Sequence, residues 1–195
     1  MELRLLALGG TPVPGSSTGK VLDWTARFAA SLGARVDQFD ADFLAQLPLY
    51  QTPAATGHSA AQRFVDCARQ ADGVLIASPG WHGSVSGSVK NALDYLEETA
   101  RDERPYLDGR PVGLIATAYG WQAAVTTLNA MRTIVHALRG WPTPLGVAIN
   151  CSQPLFAGGE IADPALAAQL KHLCRQVIDF AALARSRQPL AEEPK

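Results

Sequence analysis

Residues 71–96 read ADGVLIASPGWHGSVSGSVKNALDYL. Val74, Leu75, Ile76 and Ala77 form an unbroken apolar run, with Gly73 before it and Ser78, Pro79 and Gly80 after it. That is the form of a short strand covered on both faces. The stretch from Pro79 to Gly83 holds a proline and two glycines and reads as a loop. Val89, Ala92, Leu93 and Leu96 then recur at helical spacing. A buried strand that leaves through a glycine-bearing loop straight into an amphipathic helix is one half of a βαβ unit.

The same alternation runs along the whole chain. Strands are expected at residues 3–8, 35–39, 73–77, 112–116 and 146–149, all on short apolar or β-rich runs. Between them Val21, Thr25, Phe28, Ala29 and Leu32 mark a first helix, and Ala61, Phe64, Val65 and Ala68 a second. Ser59 and Gln62 have the spacing of a capping box for that second helix. The helix after the third strand is the one quoted above; the next carries Ala124, Leu128, Met131, Val135 and Leu138. The last carries Leu166, Leu170, Leu173 and Val177, with Asp163 as N-cap and Pro164 at the first helical position. These stripes are core. Residues 41–57, with Pro48 and Pro53, make a long connection that is expected to border a site. The expected architecture is a three-layer α/β/α sandwich over residues 1–185, with a five-stranded parallel sheet in the order 2-1-3-4-5. Residues 186–195, polar with two prolines, are expected to be a flexible tail.

Composition narrows the function. A chain of 195 residues, 47% hydrophobic and 18% charged, can build one sizeable core and is short for two. A net charge of −1 provides no basic stripe to track a nucleic-acid backbone. The opening MELRLLALGG is too short to span a membrane and lacks a basic region and cleavage site, so a cytoplasmic protein is expected. Cys67, Cys151 and Cys174 are far apart and form no CxxC pair, so neither a zinc site nor a redox disulfide is expected; they read as small buried hydrophobes.

In an open sheet of this order, ligands bind beyond the carboxyl ends of the strands, where the strand order reverses between the first and third. Two loops are therefore decisive. The first, GGTPVPGSSTGK, brings Thr11, Ser16, Ser17 and Thr18 to the start of a helix. Hydroxyls, free amides and the positive end of the helix dipole suit a phosphate, although serine and threonine also cap helices with no ligand present. The loop is neither a Walker A nor a GxGxxG sequence, which leaves a monophosphate held mainly by neutral donors. The second loop, Pro79 to Gly83, offers Trp81 and close-approaching backbone to a planar ring, with Gly80, Gly83 and Ser84 expected to leave room above it. His82 has no orienting carboxylate in sequence and reads first as a surface imidazole. Lys90 and Asp94 are spaced as a helix-face ion pair.

The run from Pro79 to Tyr95 resembles the PxYNGSxPGxLKNAxDW signature of the NAD(P)H-dependent FMN reductase family. The preceding ADGVLIASP, the GTP…SST loop and the later TAYG agree in order and spacing, so the resemblance covers roughly residues 3–150. It implies a flavodoxin-like fold, bound FMN, and hydride transfer from NADPH or NADH to flavin and onward to quinones, azo dyes or metal oxyanions such as chromate. It also implies released reduced flavin that a flavin-dependent monooxygenase could use. By position, Thr11, Ser16, Ser17 and Thr18 would bind the phosphate. Pro79, Gly80, Trp81, His82 and Gly83, with Thr117, Ala118, Tyr119 and Gly120, would flank the isoalloxazine. Many relatives have arginine where this chain has Val13, and Trp81 and His82 replace tyrosine and asparagine. No catalytic residue and no metal is assigned, because the hydride chemistry belongs to the cofactor. A flavodoxin-type electron carrier is the rival reading, against which the near-neutral charge counts; a flavin-free phosphate-binding domain is a third. The family pairs through its third and fourth helices, and Leu93, Leu96, Val125, Leu128, Ile134 and Val135 lie beyond one core stripe there, so a homodimer or homotetramer is expected.

Overall fold

The computed structural model describes residues 2–186, apart from Pro12 and Pro14. The sheet is built from β1 (Arg4–Gly9), β2 (Arg35–Phe39), β3 (Gly73–Pro79), β4 (Pro111–Ala118), β5 (Trp141–Pro142) and β6 (Val147–Asn150). Its order is β2-β1-β3-β4-β5, with β6 also on β4, and every pairing is parallel. This is the flavodoxin-like order, with its reversal between β1 and β3.

All residues of β3 and β4 are buried, and alternate ones feed opposite cores. Val74 and Ile76 join Phe39, Phe64, Leu96 and Val135 on one face; Leu75 and Ala77 join Val21, Leu22, Leu173 and Val177 on the other. Helices α1 (Ser17–Ser31) and α6 (Pro164–Ser186) cover the second face. On the first lie α2 (Ala41–Gln46), α3 (Ser59–Gln70), α4 (Gly87–Asp94) and α5 (Trp121–Ala137). Each leucine buried this way contributes roughly 1.5–3 kcal/mol. A small hairpin, β7 (Phe156–Ala157) with β8 (Glu160–Ile161), is tied to α1 where Trp24 Nε1 donates to Glu160 at 2.7 Å. Asp163 caps α6, its carboxylate accepting from the Ala165 amide at 2.9 Å. Among the described residues no helix is long and apolar enough to cross a membrane. The expected tail lies, past Ser186, outside the described residues.

Several expectations need correction. The fifth strand is broken: Val112 pairs with Pro142 but Ile115 with Val147, so the edge carries two residues more than its neighbour. Pro142 and Pro144 lack amide donors, and Thr143 Oγ1 turns back to the Leu145 carbonyl at 2.8 Å. Helix α3 is entered one residue early, with His58 at the cap position and no side-chain cap; Ser59 is already helical, so its capping box does not form. Leu93, Leu96, Leu128 and Val135 are buried in the core, and only Val125 of the residues set aside for subunit contact is well exposed. Residues 41–57 fold in part as α2, capped by Asp40, which packs on α4; Ala41 lies against Gly10 of the first ligand loop, but no residue of 41–57 lines the cleft at the strand-order reversal. Asn91 accepts the Tyr50 amide at 2.9 Å and donates to the Pro48 carbonyl at 2.9 Å, while the Tyr95 hydroxyl donates to the same carbonyl at 2.8 Å.

At the amino end of the sheet, charge is used as structure. Arg110 is 1% exposed and donates to the carbonyls of Arg69, Ala71 and Tyr106 at 2.9, 2.8 and 3.1 Å. Two of those carbonyls close α3, where a cation complements the helix dipole. Burial lowers the guanidinium pKa to about 10, helped by nearby Arg104, so it stays charged at neutral pH. Arg69 pairs with Asp66 and Asp102, and Arg185 with Asp72.

Candidate cofactor site at the carboxyl ends of the strands

β1 runs out at Gly9, whose φ of +149° and close approach to β3 demand glycine: a Cβ there would stand 2.0 Å from the Ala77 carbonyl oxygen. The Gly10 amide donates to that same oxygen at 3.2 Å, so the loop starts pinned to β3. It then closes on itself, Thr11 Oγ1 accepting from the Val13 amide at 3.1 Å and the Ser16 amide donating to the Val13 carbonyl at 3.2 Å. Ser16 caps α1, its hydroxyl accepting from the Gly19 amide at 3.1 Å. The amides of Ser17 and Thr18 have no intrahelical acceptor and lie at the positive end of a 15-residue helix. Thr18 is buried and shares a 2.6 Å hydrogen bond with Thr117 at the end of β4, joining the first loop to the third.

The exit of β3 is held just as firmly. Ser78 Oγ accepts from the Ser86 amide at 3.0 Å, and the Gly80 amide donates to the Thr117 carbonyl at 2.7 Å. A Cβ on Gly80 would lie 2.6 Å from Thr127 Oγ1, so this glycine serves the packing of α5 rather than opening space over a ring, as the sequence suggested. Trp81 and Ser84 exchange backbone hydrogen bonds of 2.9 and 3.1 Å across His82 and Gly83, whose φ values are +50° and +89°. Two consecutive positive φ angles define a type I′ turn, and histidine is among the few side-chain-bearing residues enriched there. His82 and Gly83 therefore fill the two central turn positions, with histidine where the family signature has asparagine.

Between these loops lies a cleft of about 370 Å³, within the usual range for ligand pockets of about 300–1,000 Å³. Thr11, Ser16, Ser17 and Thr18 line one part; Pro79, Gly80 and Trp81, with Thr117, Ala118 and Tyr119, line the other. His82 and Gly83 stand outside on the exposed turn tip, and Gly120 leads into α5. Trp81 and Tyr119 are 52% and 87% exposed at the mouth. No charged side chain is among the lining residues. Neutral hydroxyls with unspent amides at a helix start fit a phosphate monoester, and the backbone walls beside them fit a planar ring. A larger cleft, about 760 Å³, lies at the amino ends of the strands among Asp72, Arg104, Trp141 and Arg185. It sits at the wrong end of a parallel sheet for a ligand of this class.

Cys151, just past β6, also lines the smaller cleft, where the sequence alone suggests a small buried hydrophobe. Its place after a strand's carboxyl end was the available clue. Burial raises its thiol pKa, against smaller opposing effects of Ser17, Ala118 and Thr117.

A protein-family model described as NADPH-dependent FMN reductase matches residues 3–153. The chain is 28% identical over 191 residues to an FMN reductase (NADPH) of Pseudomonas putida, covering 97% of this chain and 92% of that one. It is 31% identical over 144 residues to an FMN-dependent NADPH-azoreductase of Staphylococcus saprophyticus, covering 68% and 73%. Among solved structures it is similar in fold to FerB, a flavoenzyme NAD(P)H:(acceptor) oxidoreductase from Paracoccus denitrificans, with a TM-score of 0.78 at 18% identity over 93% of this chain and 98% of that one.

Proposed function

The chain belongs to the NADPH-dependent FMN reductase family, and from that premise we propose how its cleft serves the reaction. The protein is an NAD(P)H-dependent flavin oxidoreductase with FMN as cofactor. The observation that supports our assignment of the site is the uncharged cleft at the strand-order reversal, with unspent donors at the start of α1.

FMN, when bound, supplies the hydride-accepting and hydride-donating chemistry. Thr11, Ser16, Ser17 and Thr18 hold its phosphate, together with the amides of Ser17 and Thr18. Thr18 and Thr117 share one hydrogen bond in which either hydroxyl can donate, and a phosphate accepting from Thr18 would set Thr117 as the donor between them. Pro79, Gly80 and Trp81, with Thr117, Ala118 and Tyr119, would flank the ring, while His82, Gly83 and Gly120 stand outside the cleft. Among the described residues the amides of Tyr119 and Gly120 have no backbone acceptor, so they would be free to donate to FMN bound beside them. No side chain in the cleft is needed as acid or base, and none is assigned as catalytic. Trp81 and Tyr119, exposed at the mouth, stand where nicotinamide or an electron acceptor would enter once FMN is bound. NADH is the alternative nucleotide to NADPH. Free flavin, a quinone, an azo dye, chromate or a flavin-dependent monooxygenase are the acceptor classes in view.

For assembly we keep the homodimer or homotetramer, supported by the exposed Tyr119, Trp121 and Val125 around the start of α5. A cytoplasmic setting agrees with the three unpaired cysteines. With FMN added, the purified protein should oxidise NADPH or NADH over many turnovers without a second protein. Tight FMN binding with no nucleotide consumed would instead mark an electron carrier.

A further inference from the structure

Resting on the placement of the phosphate in the loop between β1 and α1, we infer that Lys20 is the counter-cation of the FMN phosphate and makes the cleft prefer FMN to riboflavin. A phosphate monoester carries about −1.5 to −2 charges at neutral pH. Nothing charged lines the cleft, and at position 13 the side chain lining it is an apolar valine. Lys20 lies one turn into α1, and helical side chains lean towards the helix start. Its Cε and Nζ lie 3.8 and 4.0 Å from where a Cβ on Gly15 would stand, so the ammonium group folds back over the turn at Gly15. That turn leads into Ser16, whose hydroxyl and the following amides face the site.

Lys20 also has no competing engagement. Among the described residues it joins no ion pair. Asp23, the carboxylate three residues along the helix, accepts from the Gln38 amide instead. The first turn of α1 holds no acidic residue. A cation near the positive end of a helix dipole is unfavourable without an anion there and favourable with one. Such a local conflict is what a ligand-supporting residue shows before its ligand arrives.

The test is to titrate FMN and riboflavin, by quenching of flavin fluorescence, into the native protein, Lys20→Gln and Lys20→Arg. Lys20→Gln should weaken FMN roughly tenfold while riboflavin shifts by less than about twofold, as expected for losing one charge-assisted bond to a partly exposed phosphate. Lys20→Arg should restore FMN binding. Added salt should weaken FMN more in the native protein than in Lys20→Gln. Equal weakening of both flavins would make Lys20 a structural residue, and unchanged FMN affinity would deny it any role; either result overturns the inference. If Ser16→Ala with Thr18→Ala still weakens FMN selectively, the site assignment survives that failure. Equal affinity of the native protein for both flavins would remove the phosphate from this loop and overturn the site assignment and the inference together.

Discussion

At the amino end of the sheet, Arg110 spends three of its donors on main-chain carbonyls, and near it Arg69 pairs with Asp102 and Arg185 with Asp72. At the carboxyl end, the donors are neutral and several have no backbone partner among the described residues: amides at the start of α1, amides after β4, and those of the turn at His82. The contrast separates two uses of polarity. Groups satisfied within the protein hold elements together, whereas groups left short of partners around a cleft are set for a molecule that completes them. Volume alone would have pointed to the amino end.

Removing the most heavily committed group should have the largest effect. Arg110→Met leaves three carbonyls short of a donor, one in a buried and two in half-buried hydrogen bonds, and urea unfolding should show a loss of about 3 kcal/mol. FMN affinity of the folded variant should not change; a loss of flavin binding would mean that the two ends are coupled. Ser16→Ala with Thr18→Ala should weaken FMN by about 1–3 kcal/mol in fluorescence titration. Its stability loss should be about 2–3 kcal/mol, about 1 from the helix cap and the rest from the buried Thr18–Thr117 hydrogen bond.

A smaller effect should appear at Cys151. Saturating FMN should slow its alkylation, read by peptide mass, and leave half-buried Cys67 unaffected. Because burial raises the Cys151 pKa, its thiolate fraction at neutral pH is below that of a free cysteine. Labelling should therefore keep rising with pH beyond the range where an exposed thiol has levelled off. Smallest of all, Lys90→Ala removes an exposed ion pair with Asp94 at 2.5 Å and should cost under about 1 kcal/mol, with no change in flavin binding.

The central strands were legible because burial on both faces leaves only apolar residues, and 73–77 and 112–116 need no context to be read. The ligand loops were legible because glycine, proline and hydroxyl residues crowd together only where backbone must bend and donate. What escaped depended on distant partners. The reason for glycine at position 80 is Thr127, and the reason Cys151 faces a cleft is the register of β6 on β4. The apolar excess on α4 and α5 looked like a subunit face because periodicity cannot tell how wide a stripe the sheet will cover; Leu93, Leu96, Leu128 and Val135 all turn inward. Ser59 missed its cap for a local reason, since His58 already has extended backbone and the helix begins one residue sooner.

The interrupted outer strand has a consequence for how the protein behaves in a crowded solution. An unbroken outer strand offers a row of free amides and carbonyls on which another chain can grow a sheet. Here that row is cut into two-residue and four-residue pieces, and Pro142 and Pro144 remove donors from it. The opposite border, β2, carries Arg35 and Asp37, paired at 3.6 Å, which an incoming strand would have to strip of water. Both borders thus discourage intermolecular strand addition, and the β3–β4 segments, the most amyloid-like in composition, stay sheltered between them.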